Sequence, residues 1–186
     1  MKYFRVEDSF DIRNRWYLGD PWADEIELDA RLFTKCKGYP DKDVLDVPVE
    51  KGINPLDFTL GSFDMPVVKT NIGQMIESLA AADVQRIPVR IGRFDEYEIL
   101  NVLTLRNAID EELSEISRWE EKDGRPEKVG KYFAIGELVL REKQINHAKI
   151  FRLKDWELPL IVCETIKLNL ERLNTTGISF KELKSS

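Results

Sequence analysis

Two stretches of this 186-residue chain follow one pattern, and the repetition limits what the chain can fold into. "MPVVKT" is a short β-branched run opened by Pro66, and "NIGQMIESLAAAD" follows with Asn71 placed to cap a helix. Ile72, Met75, Ile76 and Leu79 fall at i, i+3, i+4 and i+7, one helical face. "VQRIPVRI" then alternates Ile87, Val89 and Ile91 inward, "GRFD" turns, and "EYEILNVLTL" completes a hairpin. Nearer the C-terminus, "LPLIV" is opened by Pro159. "CETIKLNLERLN" spaces Cys163, Ile166, Leu170 and Leu173 along a helix, "TTG" ends it, and "ISF" alternates into a last strand. Strand, helix and strand thus recur at residues 65–91 and 158–183. Two such units side by side predict an α+β domain with helices packed on one sheet.

The rest of the chain fits the same class. "YLGDPW", "CKGYPDKD" and "KGINPLDF" crowd turn formers into the first sixty residues, so short strands and loops are expected there, with Trp16, Tyr17 and Trp22 covering the edge of a core. "NAIDEELSEISRWEE" reads two ways: Ile109, Leu113, Ile116 and Trp119 fit a helical stripe, and the same residues fit strand, turn and strand. "KYFAIGELVL" and "HAKIFRL" read as strands, with "REKQIN" a turn or short helix between them. A length of 186 residues, 42% apolar content and nine Phe, five Tyr and four Trp predict one globular domain over 1–186. Its expected parts are a loop and short-strand region at 1–62 and an α+β body at 63–186. The fold class is α+β, mostly antiparallel, with a few packed helices.

Several function classes lack their residues. The longest apolar runs hold four residues, such as Tyr132 to Ile135, whereas a membrane span takes roughly 20. "MKYFRVEDSF" does not read as a secretory signal, so a cytoplasmic location is expected, where Cys36 and Cys163 stay as thiols. A net charge of −6 argues against a general nucleic-acid binder. Phosphate-binding "GxxxxGK[ST]" and "GxGxxG" loops do not occur, and "RIGRF" reads as a hairpin turn rather than a base-stacking site. His147 is the single histidine, and one His with two distant Cys makes no zinc set. No cofactor and no metal are expected. A small enzyme or ligand-binding protein would have to draw on Asp110, Glu115 and His147, and a structural module would assemble through a sheet edge.

What remains is a surface. Residues 110–130 hold eight acids against four bases, a net −4, and residues 131–154 hold six bases against two acids, a net +4. Trp119, Arg125 and Tyr132, of the types that dominate binding hot spots, lie in or beside "EEKDGRPEKVGKY" (120–132). Within it, Gly124 tolerates positive φ and Pro126 disfavours helix at Arg125, so "DGRP" is a turn.

"DVQRIPV" (83–89), "YEILNVL" (97–103), "AIDEELSE" (108–115), "RWEEKDGRPEKVGKY" (118–132), "AKIFRL" (148–153), "LPLIVCETIK" (158–167) and "TGISF" (176–180) occur in a distinctive order. With "WYLGDP" and "DFTLGSFDMPVV" upstream, the chain resembles immunity protein family eleven of bacterial polymorphic toxin systems over nearly its whole length. Cys163 departs from the small polar residue expected there. The resemblance implies a non-enzymatic cytoplasmic antidote, encoded beside a toxin, that binds the toxin domain and blocks it. The expected toxin-binding residues are Asp110, Glu111, Glu115, Trp119, Glu120, Glu121, Asp123, Arg125, Glu127, Lys128 and Tyr132. Trp119 and Tyr132 would be aromatic anchors, Arg125 a bidentate fork, and the acids would face basic toxin surface.

Overall fold

The structure, a computed structural model, describes residues 1–41 and 43–186. Its main elements in chain order are β1 (Tyr3–Asp8), β2 (Leu45–Asp46), β3 (Phe58–Leu60), β4 (Pro66–Lys69), α1 (Thr70–Ala80), β5 (Val84–Ile91), β6 (Phe94–Val102), β7 (Val139–Leu140), β8 (Ile150–Leu153), β9 (Trp156–Cys163), α2 (Glu164–Arg172) and β10 (Ile178–Ser185). One sheet runs β3-β4-β6-β5-β2 and continues past β2 into the short strands Trp22–Ala23 and Ile26–Glu27. The other runs β8-β9-β1-β10-β7, with Leu105–Arg106 beside β8. The expected α+β class is present in a strand-rich form. The two strand-helix-strand units lie on two sheets, not on the single one expected.

The repetition goes further than the sequence pattern shows. In each half a hairpin (β3–β4, β8–β9) leads into a helix and then into a return strand (β5, β10), which a short strand (β2, β7) joins in parallel. A central antiparallel strand separates the hairpin from the return strand. Tyr97 of β6 faces Lys69 and Val89, and Tyr3 of β1 faces Cys163 and Leu183. All three pairs of equivalents are 94 residues apart (97 − 3, 163 − 69 and 183 − 89). The central strands are exchanged: β1, first in the chain, completes the sheet of the second half, and β6, the first strand of the second half, completes the sheet of the first. Neither half holds a complete sheet from its own residues.

The helices obey the same offset. Ile72 and Ile76 of α1, and Ile166 and Leu170 of α2, are at most 2% exposed. Each such side chain contributes about 1.5–3 kcal/mol when fully buried. Two details differ from expectation. Helix α1 starts at Thr70 with Lys69 at its N-cap, not Asn71, because β4 runs straight into it. Leu173 lies past the end of α2 and is 45% exposed.

Two apolar clusters fill the interior. The larger joins Tyr3, Phe4 and Val6 of β1 to both helices and to β8, β9 and β10. The smaller unites Trp16, Phe33, Leu45 and Leu56 with Ile87, Val89 and Ile99, so residues on both sides of position 62 share it. Trp16 is buried and donates from Nε1 to Thr59 Oγ1 at 2.8 Å, while Tyr17 stays exposed. Arg152 ties the second sheet to the turn before β4. Its guanidinium is fully buried and donates to the carbonyls of Glu157, Leu158 and Asp64 at 2.6–2.8 Å. Burial lowers its pKa to about 10.

Candidate binding surface

The ambiguous stretch after Ala108 forms strand, turn and strand. Ile116–Arg118 pairs antiparallel with Tyr132–Ile135, and this two-stranded ribbon belongs to neither large sheet. No residue from 111 to 134 is buried. At its root, Asp110 N–H donates to the Val139 carbonyl and Glu115 N–H to the Glu137 carbonyl, both at 2.9 Å. Ser114 Oγ accepts from Val139 N–H at 2.9 Å. Ile116 and Tyr132 rest against the larger core cluster, which fixes where the ribbon leaves the body.

The ribbon's aromatic residues separate at an irregularity. Ser117 faces Ala134 and Arg118 faces Tyr132, so Phe133 is the extra residue of a bulge, a device that re-aims side chains. Tyr132 leans inward: its hydroxyl donates to the Glu111 carboxylate, and the Arg118 guanidinium lies 4.6 Å from its ring centre. Phe133 is turned outward, 56% exposed, and meets Trp119 edge to face with ring centres 4.7 Å apart. Lys128 Nζ lies 4.8 Å from the Trp119 ring centre. Neither Trp119 nor Phe133 joins a core cluster among the described residues. Leu113 and Val129, 60% and 43% exposed, add further apolar surface to the ribbon.

Most of the ribbon's charge is spent locally. Lys122 pairs with Glu120 at 2.7 Å, Arg125 with Glu127 at 3.8 Å and Arg118 with Glu111 at 2.8 Å. Asp123 accepts from the Glu120 backbone N–H at 2.8 Å, and Gly124 follows at φ 68° to close the turn. Hydrogen bonds from Tyr132 and then Arg118 hold the Glu111 carboxyl below the usual carboxylate range. Glu115 and Glu121 are exposed, and neither has an ion-pair partner among the described residues.

Asp110 differs from the rest of the expected set. It is 7% exposed, accepts from Ser186 Oγ at 2.7 Å, and takes the backbone N–H groups of Glu112 and Leu113. These bonds, Ser186 first, hold its carboxyl below the usual range. Asp110 therefore anchors the root, with its carboxylate turned to Ser186 and the Glu112 and Leu113 N–H groups. Phe133 lies outside the expected set and is the more exposed of the two adjacent aromatics. Adjacent aromatics in a strand point to opposite faces, so Tyr132 and Phe133 together signalled that one of them would be outward.

The residues of the enzymatic alternative do not gather. His147 lines a cleft of about 550 Å³ that includes Tyr3 and Glu142 and neither Asp110 nor Glu115. Among the described residues no group of three or more His, Cys, Asp or Glu is placed to hold a metal ion, and no helix is long and apolar enough to cross a membrane. Burial pushes the Cys36 thiol up to about 11, so it is protonated at neutral pH.

No curated protein matches the chain. The Immunity protein family (Imm11) matches it over residues 8–185, from the end of β1 to the end of β10 and across the whole ribbon. The chain belongs to that immunity protein family.

Proposed function

We propose that this protein, acting as a single domain in the cytoplasm, neutralises the cognate toxin domain of a polymorphic toxin system. It does so by binding the toxin stoichiometrically through the 111–134 ribbon. The observation that carries this reading is the Trp119–Phe133 pair on a projecting ribbon with no buried residue. Aromatics off the core, Phe133 exposed and Trp119 half-buried beside it, offer large contact area at low entropic cost, the profile of a hot spot. The charges rank lower. Exposed ion pairs contribute about 0–1 kcal/mol each, so Glu120, Asp123, Arg125, Glu127 and Lys128 exchange local partners for toxin groups with little net gain, while Glu115 and Glu121 meet toxin groups without giving up an ion pair; together they set orientation and capture rate. Glu111 and Tyr132 support the ribbon through their bond to each other and the Arg118 guanidinium. Blocking a toxin this way requires no catalytic group.

The test is co-expression with the toxin, expected to be the product of the adjacent gene. A variant in which residues 119–131 are replaced by a short Asn-Gly hairpin should fold, fail to capture the toxin in a pull-down, and fail to rescue growth. Full rescue by that variant would remove the ribbon from the interface. Failure of the unaltered protein in both assays would remove the toxin reading itself.

A further inference from the structure

A second surface lies at the other end of β1. The ribbon's root is near Tyr3, because β7 joins β10 at Lys184 and Ser185 while Tyr3 faces Leu183. Asp8 marks the opposite end, roughly 17 Å away along the strand. There a cleft of about 340 Å³ is lined by Phe10, Arg13, Arg15, Tyr17 and Lys51 among others, with three cations and no acid in its lining. A cation-only cleft runs against the net charge of −6.

Its parts divide into a fixed post and free groups. Arg15 is 2% exposed, donates to the Ser9 carbonyl and to Asp8 Oδ1, both at 2.6 Å, and its Nε has no partner among the described residues. The rings of Phe10 and Tyr17 lie 5.5 and 5.3 Å from its guanidinium carbon, so a buried cation holds two aromatic rings that are themselves 71% and 40% exposed. Arg13 and Lys51 are exposed, and neither has an ion-pair partner among the described residues. We propose that this cleft binds a small oxyanion carrying a flat ring: Arg13 and Lys51 take the phosphate or carboxylate, and Phe10 and Tyr17 take the ring. Two charge-donating groups suit one oxyanion, and the volume suits a small ligand.

Calorimetric titration of the full chain with inorganic phosphate, phenyl phosphate and benzoate tests this. Phenyl phosphate should bind about threefold to tenfold more tightly than inorganic phosphate, through the rings. The Arg13→Gln/Lys51→Gln double variant should weaken it by about tenfold or more at an unchanged melting temperature. Phe10→Ala should erase the preference for the ring. Benzoate bound more tightly than phenyl phosphate identifies the oxyanion as a carboxylate; benzoate bound less tightly identifies phosphate. No saturable heat with either aromatic probe, or equal affinity in the double variant, overturns the site. The outcome is independent of toxin binding, which concerns the other end of the strand.

Discussion

The same connection meets opposite fates in the two halves. After β1, residues 9–44 lead to β2; after β6, residues 103–138 lead to β7. In the first half this segment folds back: Trp22–Ala23 and Ile26–Glu27 extend the sheet, and Ala30 and Phe33 enter the core at 0% exposure. In the second half Trp119 and Phe133 are held off the body on the ribbon. Both segments carry large apolar residues, so apolar content alone does not decide which is structural. What differs is where the middle strands pair: Trp22–Ala23 joins β2 in a large sheet, whereas Ile116–Arg118 pairs only with Tyr132–Ile135. A docked connection contributes stability, and a self-paired one leaves its side chains available to a partner.

That contrast is sharpest in paired substitutions. Phe33→Ala should cost about 3–5 kcal/mol of stability by opening a cavity, measured by denaturant unfolding. Phe133→Ala should cost less than about 1 kcal/mol on the same scale, because its side chain is more than half exposed. Equal losses would break the distinction between docked and free connection.

A second pairing compares one position under each helix. In the first half Arg86 bonds Glu98 and Glu77 at 2.7–3.0 Å beneath Gly73. Their equivalents 94 residues apart are Phe180, Phe4, Glu171 and Lys167, and there the Lys167 ammonium covers both Phe rings and pairs with Glu171. Burial pushes the Glu98 carboxyl up, and Arg86 opposes the shift. A Cβ on Gly73 would sit 1.5 Å from Glu98 Oε1, so Gly73→Ala must push that carboxylate off Arg86, at a cost of about 1–3 kcal/mol. Lys167→Ala should cost less, about 0.5–2 kcal/mol, since it removes a largely buried cation from over aromatic rings and leaves no buried charge unpaired. Thermal melts of the two variants check the order.

The smallest expected effect is one of pH on the ribbon alone. Glu111 is depressed by Tyr132 and Arg118, so its support is complete above the ordinary carboxylate range and is lost as pH falls through its lower folded value. Hydrogen exchange at Arg118 and Tyr132 should therefore quicken in acid before exchange in β1 does. Simultaneous quickening would mean that the ribbon does not open separately.

Much of each unit was legible in the sequence because strand, helix and return strand are local patterns. Val68, Ile72 and Leu79 recur as Val162, Ile166 and Leu173 without a gap. The exchange of β1 and β6 was not legible. Tyr3 must find Cys163 and Leu183, and no local periodicity encodes a partner that far away. The ribbon was half legible: Ile109, Leu113, Ile116 and Trp119 fit a helical stripe, yet Ile109 pairs with Leu140 and Asp110 caps the turn that follows. Tertiary pairing overrode the stripe. Asp110 entered the expected surface because it is an acid in an acidic run, while the Ser186 hydroxyl that bonds it lies 76 residues away in sequence.

The most direct test of the ribbon's role is calorimetric titration of the cognate toxin domain with the Trp119→Ala/Phe133→Ala double variant. Two lost hot-spot anchors should weaken binding by about a hundredfold or more, with the melting temperature nearly unchanged. An affinity within about threefold of the unaltered protein would place the interface elsewhere on the molecule.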